Sequence, residues 1–161
     1  MAFDTFIKVE GIEGESSDAR HVGWIEAFNF KIALGQKASA TASSAGGATA
    51  ERADFQPLYF TMPMDRSSPK LAQACADGTH IDEVLVEVCR AGGDRVAFMT
   101  YRLRNCIIKK VFTIGDGNFP MESVTIDYGR IQWAYTRQNR SGGGSSGQVA
   151  TGWNREKNCR L

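Results

Sequence analysis

AFDTFIKVEGIEGESSDARHVGWIEAFNF, residues 2–30, reads as strand, acidic turn, strand. In the first strand, about 3–9, Phe3, Ile7 and Val9 share one face, while Phe6 and Lys8 share the other. Gly11 and Gly14 punctuate the turn. Asp4 and Lys8 interrupt any apolar run, so no secretory signal is expected here. In the second strand, about 24–34, Phe28, Phe30, Ile32 and Leu34 alternate with Ala27, Asn29, Lys31 and Ala33. The second set is small and polar, as a wall facing water would be.

Working outward, residues 39–50 contain only Ser, Ala, Thr and Gly and predict a long loop, about 36–53. Long structureless loops inside domains are usually functional or disordered. Residues 55–62 predict a strand, and Pro57 near its start favours an edge position. A helix follows, with Ser68 as N-cap, Pro69 in its first turn, Gly78 as its stop, and Leu71, Ala74 and Cys75 as its apolar stripe. Strands are expected at 81–90 and 95–108, joined by an AGGD hairpin turn, with a further strand at 109–114. The strand at 122–136 changes phase at Gly129-Arg130. Val124, Ile126 and Tyr128 have one parity; Ile131, Trp133 and Tyr135 have the other. A β-bulge would produce this, and so would a strand buried on each face in turn at a barrel corner. SGGGSSG, 141–147, reads as a flexible loop, and Trp153 beyond it predicts a tail that docks. Seven or eight strands and one helix describe an all-β barrel or closed sandwich in a single domain, 1–161.

Net charge is +1, which favours neither nucleic acid nor an anionic membrane. The charge is uneven, however. Residues 1–100 hold nine basic and fourteen acidic side chains, net −5, and 101–161 hold ten and four, net +6. Such poles suit head-to-tail contacts between copies. Arg102, Arg104, Lys109 and Lys110 beside Phe98 and Phe112 raise single-strand binding as a reading. The near-neutral chain, and aromatics mostly at core parity, weigh against it. The four cysteines have neither CxxC nor zinc-finger spacing, and Cys159 is the one expected to be exposed. His21 and His80 are the sole histidines, without HxxH or HExxH. No enzyme, metal or cofactor is expected.

Several pieces recur in a characteristic order: Phe3 to Lys8, Gly14-Glu15-Ser16, His21, Trp24-Ile25-Glu26, Asp65, Ser67-Ser68-Pro69-x-Leu71, Gly78-x-His80, Arg90 with Gly92-Gly93, and Glu122-x-Val124. Together they resemble the haemolysin-coregulated protein (Hcp) family, which forms the inner tube of bacterial type VI secretion systems. The resemblance implies a closed two-sheet barrel with one helix. It implies homohexameric rings that stack into a tube, with spike, sheath, baseplate and secreted effectors as partners. It implies synthesis in the bacterial cytoplasm and secretion to the outside or into a target cell, with no fused toxin domain. Asn29 and Lys31 are then expected to face lumen and cargo. Glu10, Glu13, Glu15 and Asp18 are expected to meet Arg155, Lys157 and Arg160 of the next ring. Ser43, Ser44, Gly46 and Gly47 fall in a loop that would touch a neighbouring subunit. The ending TGWNREKN resembles the Gly-Trp-Asn ending of some members. A tail-tube protein of another phage-like contractile machine, or a monomeric β-barrel binding module, would share the fold.

Overall fold

The opening alternation folds as expected into β1 (Phe3–Val9), in a computed structural model that describes residues 2–37, 52–93, 95–138 and 145–161. β1 pairs antiparallel with β2 (Ile25–Ala27) on one side and β7 (His80–Arg90) on the other. Ile7 and Val9 enter the core with Val84 and Val86 of β7. Phe3 does not join them. It is exposed, because it lies at the strand's outer end.

The second strand is not continuous. It divides into β2, β3 (Asn29–Lys31) and β4 (Leu34–Gly35), and β4 pairs with β5 (Asp54–Phe55) in a separate small ladder. The reason is a change of partner. β2 pairs with β1, whereas β3 pairs with β6 (Leu58–Pro63), and the Phe28 amide donates to the Thr61 carbonyl at 2.9 Å. The inward parity switches there: Ile25 is buried, Phe30 and Ile32 pack on the core from the other parity, and Phe28 is left 62% exposed. Leu34, expected inward, is exposed as well. β6 also pairs with β9 (Met121–Gln138), so it has a strand on each side and is not the edge that Pro57 suggested.

The main sheet runs β11-β10-β9-β8-β7-β1-β2, with β6 and β3 branching from β9; here β8 is Ala97–Ile114, β10 Ser145–Asn154 and β11 Cys159–Arg160. The chain is thus mainly β with one short helix. The expected closed barrel is not formed by hydrogen bonds, since the ladders of the described residues close no sheet. One end of the main order, β2, and the end of the branch, β3, are joined by the chain itself at Phe28.

β8 and β9 carry both halves of this architecture. They pair from Met99↔Tyr135 to Ile114↔Met121, and both change inward parity at the same level. Leu103 and Ile131 are buried on one side of the change; Cys106, Ile108, Tyr128 and Ile126 are buried on the other. Asn105, with φ of 56°, lies level with Gly129 in that register. The Arg104↔Arg130 and Cys106↔Tyr128 pairs keep step across it, so the phase change is a corner turned by both strands, not a bulge in one. The one register shift between these strands falls between Ile108 and Lys110, and 109–114 continues β8 without a break.

The helix α1 (Ser68–Asp77) starts one residue earlier than expected, with Ser67 at the N-cap. Its side chain makes no cap bond; Asp65 instead accepts the Ser67 amide at 2.7 Å, and Ser68 Oγ accepts the Asp65 amide at 3.0 Å. Gly78 ends the helix in the left-handed region, φ 67°, where a side chain would be strained. Leu71 and Ala74 pack on the core. Of the expected Gly/Ser loop at 141–147, residues 145–147 belong to β10 and 141–144 lie outside the described residues. Trp153 docks against the core as predicted. No helix among the described residues is long and apolar enough to cross a membrane.

Candidate functional site

The segment between β1 and β2 doubles back on itself through three backbone bonds: Gly14 N–H to Gly23 O at 2.8 Å, Gly23 N–H to Ser16 O at 2.8 Å, and Ser16 N–H to Trp24 O at 3.0 Å. The fold leaves His21 only 1% exposed, its ring stacked on Phe6 at 4.1 Å and edge-on to Trp24 at 4.8 Å. Phe6 is therefore buried on the face of β1 opposite the main core, as its parity predicts. His21 Nδ1 lies 2.7 Å from the Asp18 carboxylate, and Nε2 lies 2.7 Å from the Glu87 carboxylate. Cys89 Sγ is 3.9 Å from Nε2. Arg95 donates to the second Asp18 oxygen at 3.0 Å. The bond from His21 holds the Asp18 carboxyl below its ordinary range, and the Arg20 amide and Arg95 add to this against burial. Burial, followed by the Glu87 charge, pushes the Cys89 thiol up to about 11.

This polar cluster was not legible in the sequence, because His21 and Glu87 are 66 residues apart. The His21–Asp18 spacing of three was the only local signal. Asp18 was expected at a ring surface; the structure turns it inward.

The remaining charged residues divide between occupied and open. Glu15 accepts the Arg66 amide at 3.0 Å, and Glu13 lies 3.7 Å from the Arg66 guanidinium. Arg155 is bound within its own subunit. It donates to Asp127 at 2.8 Å and to the Tyr128 carbonyl at 2.7 Å, and it lies over the rings of Phe55 and Tyr128. Glu10, Lys157 and Arg160 are exposed, without an ion pair among the described residues. Residues Glu10, Glu83, Arg104, Arg130 and Asn154 form one row across β1, β7, β8, β9 and β10. The acidic turn and the basic tail are therefore four strands apart, a path of about 19 Å along the sheet at ~4.8 Å per strand. They sit towards opposite sides of the sheet and not at opposite ends of its strands. Arg102 and Arg104 both pair with Glu83, at 2.9 and 3.3 Å, which weakens them as a nucleic-acid groove.

Asn29 and Lys31 are exposed and share a face with Thr61 and Tyr59, their cross-strand partners; Lys31 Nζ lies 5.7 Å from the Tyr59 ring. Ser43, Ser44, Gly46 and Gly47 lie outside the described residues. Phe3, Phe98 and Tyr135 line one surface hollow with Arg90 and Gln138.

A family model described as "Type VI secretion system effector, Hcp" matches residues 6–135. The chain is 32% identical over 163 residues to protein hcp1 of Pseudomonas aeruginosa, covering 99% of each. It superposes on the solved structure of a type six secretion system protein with a TM-score of 0.92 and 29% identity, over 99% of this chain and 100% of that one. A type VI secretion system effector from Yersinia pestis gives 0.75 and 25%, over 94% and 99%. Hcp1 from Salmonella typhimurium gives 0.79 over the whole of both chains; at 24% identity that likeness concerns the fold.

Proposed function

The chain belongs to the Hcp family of the type VI secretion system, and from that premise we propose that it is a structural tube component whose copies form hexameric rings. The rings stack into the inner tube, which is expelled with the spike by the sheath and baseplate. Effector proteins travel in the lumen, and the chain itself leaves the cell with them. The observation that carries this reading is the extent of the likeness. It spans 99% of the chain at a TM-score of 0.92, so the backbone frame matches that of a type six secretion system protein, which supports the reading.

Within the ring, a barrel would be closed where β2 and β3 meet at Phe28. Asn29 and Lys31, with Tyr59 and Thr61, form the polar wall that meets cargo. For stacking, the exposed Glu10, Lys157 and Arg160 are favoured over Glu13, Glu15, Asp18 and Arg155, which their own subunit engages. Screening of exposed charges within ~10 Å at 0.1 M makes such stacking salt-sensitive. The loop holding Ser43, Ser44, Gly46 and Gly47 is the proposed arm to the neighbouring subunit.

The test is the mass in solution, by light scattering after size exclusion. A species of about six times 17.6 kDa is expected. A monomer at micromolar concentration would sink the ring and leave a lone binding module as the reading.

A further inference from the structure

The geometry points to a zinc-class metal site made by His21 Nε2, the Glu87 carboxylate and Cys89 Sγ, with Asp18 orienting the imidazole from behind. The three donor atoms lie within 4.8 Å of one another. Two come from one strand: Glu87 and Cys89 are two residues apart on β7, across from Phe6 and Asp4 of β1. The third is brought by the folded-back turn, whose His21 is pinned by the Phe6 stack. Asp18 on Nδ1 is the carboxylate–histidine arrangement that fixes the ring with Nε2 towards a metal.

The distances fit the ion. Zinc bonds of ~2.0–2.1 Å to N and O and ~2.3 Å to S, at tetrahedral angles, place N and O about 3.3 Å apart and N and S about 3.5 Å apart. The observed separations are 2.7 and 3.9 Å. These two pairs therefore need to adjust by roughly half an ångström, and the Glu87 oxygen and Cys89 Sγ, within 4.8 Å of each other, must close towards about 3.5 Å by rotamer relaxation. Nε2 and the Glu87 oxygen share a hydrogen bond at 2.7 Å, and once its proton leaves both can turn a lone pair to one cation.

The surroundings favour a cation too. Asp4, Asp18 and Glu87 face the thiol, against Arg20 and against Arg95 on the rim. A nitrogen, sulfur and oxygen set suits zinc over magnesium or calcium. The Glu87 side chain is 25% exposed, which leaves water access to a fourth position. Binding would displace the thiol proton and any proton on Nε2, and it would stitch the turn to β7 by bonds stronger than the present hydrogen bonds. This inference is independent of the tube reading, since it needs one subunit only.

The test uses the full chain with Cys159→Ser, which removes the exposed thiol as a competitor. The protein is stripped with chelator and titrated with Co²⁺. The expected result is a near-ultraviolet thiolate-to-cobalt absorption that saturates at one ion per chain and is bleached by Zn²⁺. Cys89→Ser should abolish it, with the fold checked by circular dichroism. Asp18→Asn should weaken binding by about 10–100-fold. Glu87→Gln supplies a second ligand variant if Cys89→Ser does not fold, and it should also weaken binding. No thiolate absorption in the parent, or unaltered binding in folded Cys89→Ser or Glu87→Gln, would overturn the site.

Discussion

Gly14→Ala tests how closely the folded-back turn is built. A Cβ at Gly14 would lie 2.6 Å from the Trp24 carbonyl oxygen, 2.8 Å from its carbon and 2.9 Å from the Ile25 Cα. All three are backbone atoms, so no side chain can swing away. Ordinary contact is about 3.5–4.0 Å, and the two arms must part by roughly an ångström. Overpacking of this kind costs about 1–3 kcal/mol. Losing one of the three backbone bonds between the arms adds about 1 kcal/mol. The sum is about 2–4 kcal/mol, which for a chain of this size lowers the midpoint by roughly 5–15 °C. The assay is thermal unfolding by circular dichroism at matched protein concentration, because assembly makes the midpoint concentration-dependent. Gly35→Ala is the control: nothing lies within 4 Å of its added Cβ and its φ is not positive, so no change is expected. A Gly14→Ala midpoint within about 2 °C of the parent would refute the close-approach reasoning.

Arg155→Met removes the Asp127 bridge and the Tyr128 carbonyl bond while keeping most of the stem; a loss of about 2 kcal/mol is expected by chemical denaturation. The Tyr128 hydroxyl donates to the Gln56 carbonyl at 2.9 Å, and burial pushes its pKa up to about 12. A raised folded value means this contribution is full below the unfolded value near 10 and is lost as pH rises through about 12. Tyr128→Phe should therefore flatten the alkaline end of the stability profile, read from denaturant midpoints between those limits. Cys159 should react with a maleimide in the native state, while Cys106, buried and with its thiol pushed up to about 12, should react only on unfolding; equal rates by mass spectrometry would contradict the burial. Lys31→Glu should alter effector retention in co-purification and leave the ring mass unchanged; lost rings, or unchanged retention, would count against a lumenal Lys31.

The strands were legible where one parity stays buried along the whole element. Val84, Val86 and Val88 on β7 are such a case. Legibility ended wherever a strand changes partner. At Phe28 the sequence alternates smoothly across a point where the chain passes from β1 to β6, so nothing local marks the switch. At Gly129 the phase change was visible in one strand. The choice between bulge and corner depended on Asn105, whose role exists only through the register with β9. The charged surface was read least well. Charge alone does not distinguish an acid that faces solvent, such as Glu10, from one spent inside the subunit, such as Asp18. That distinction needed Arg95 and His21 placed beside it.

β8 and β9 each run 18 residues through the corner at Asn105, and the same two strands that pair with β7 and β10 at one end meet β6 through β9 at the other. Neither end owns its own backbone. A subunit wired this way has no natural place to come apart halfway: releasing β6 bares one side of half of β9, while β8 still holds that half and runs on to hold the other. Opening should thus propagate along these two strands as one event, with amide exchange at Val124 and Ile131 slowed to the same free energy. For a component of a type VI secretion system, that amounts to a single-piece spar in place of two panels joined by a seam.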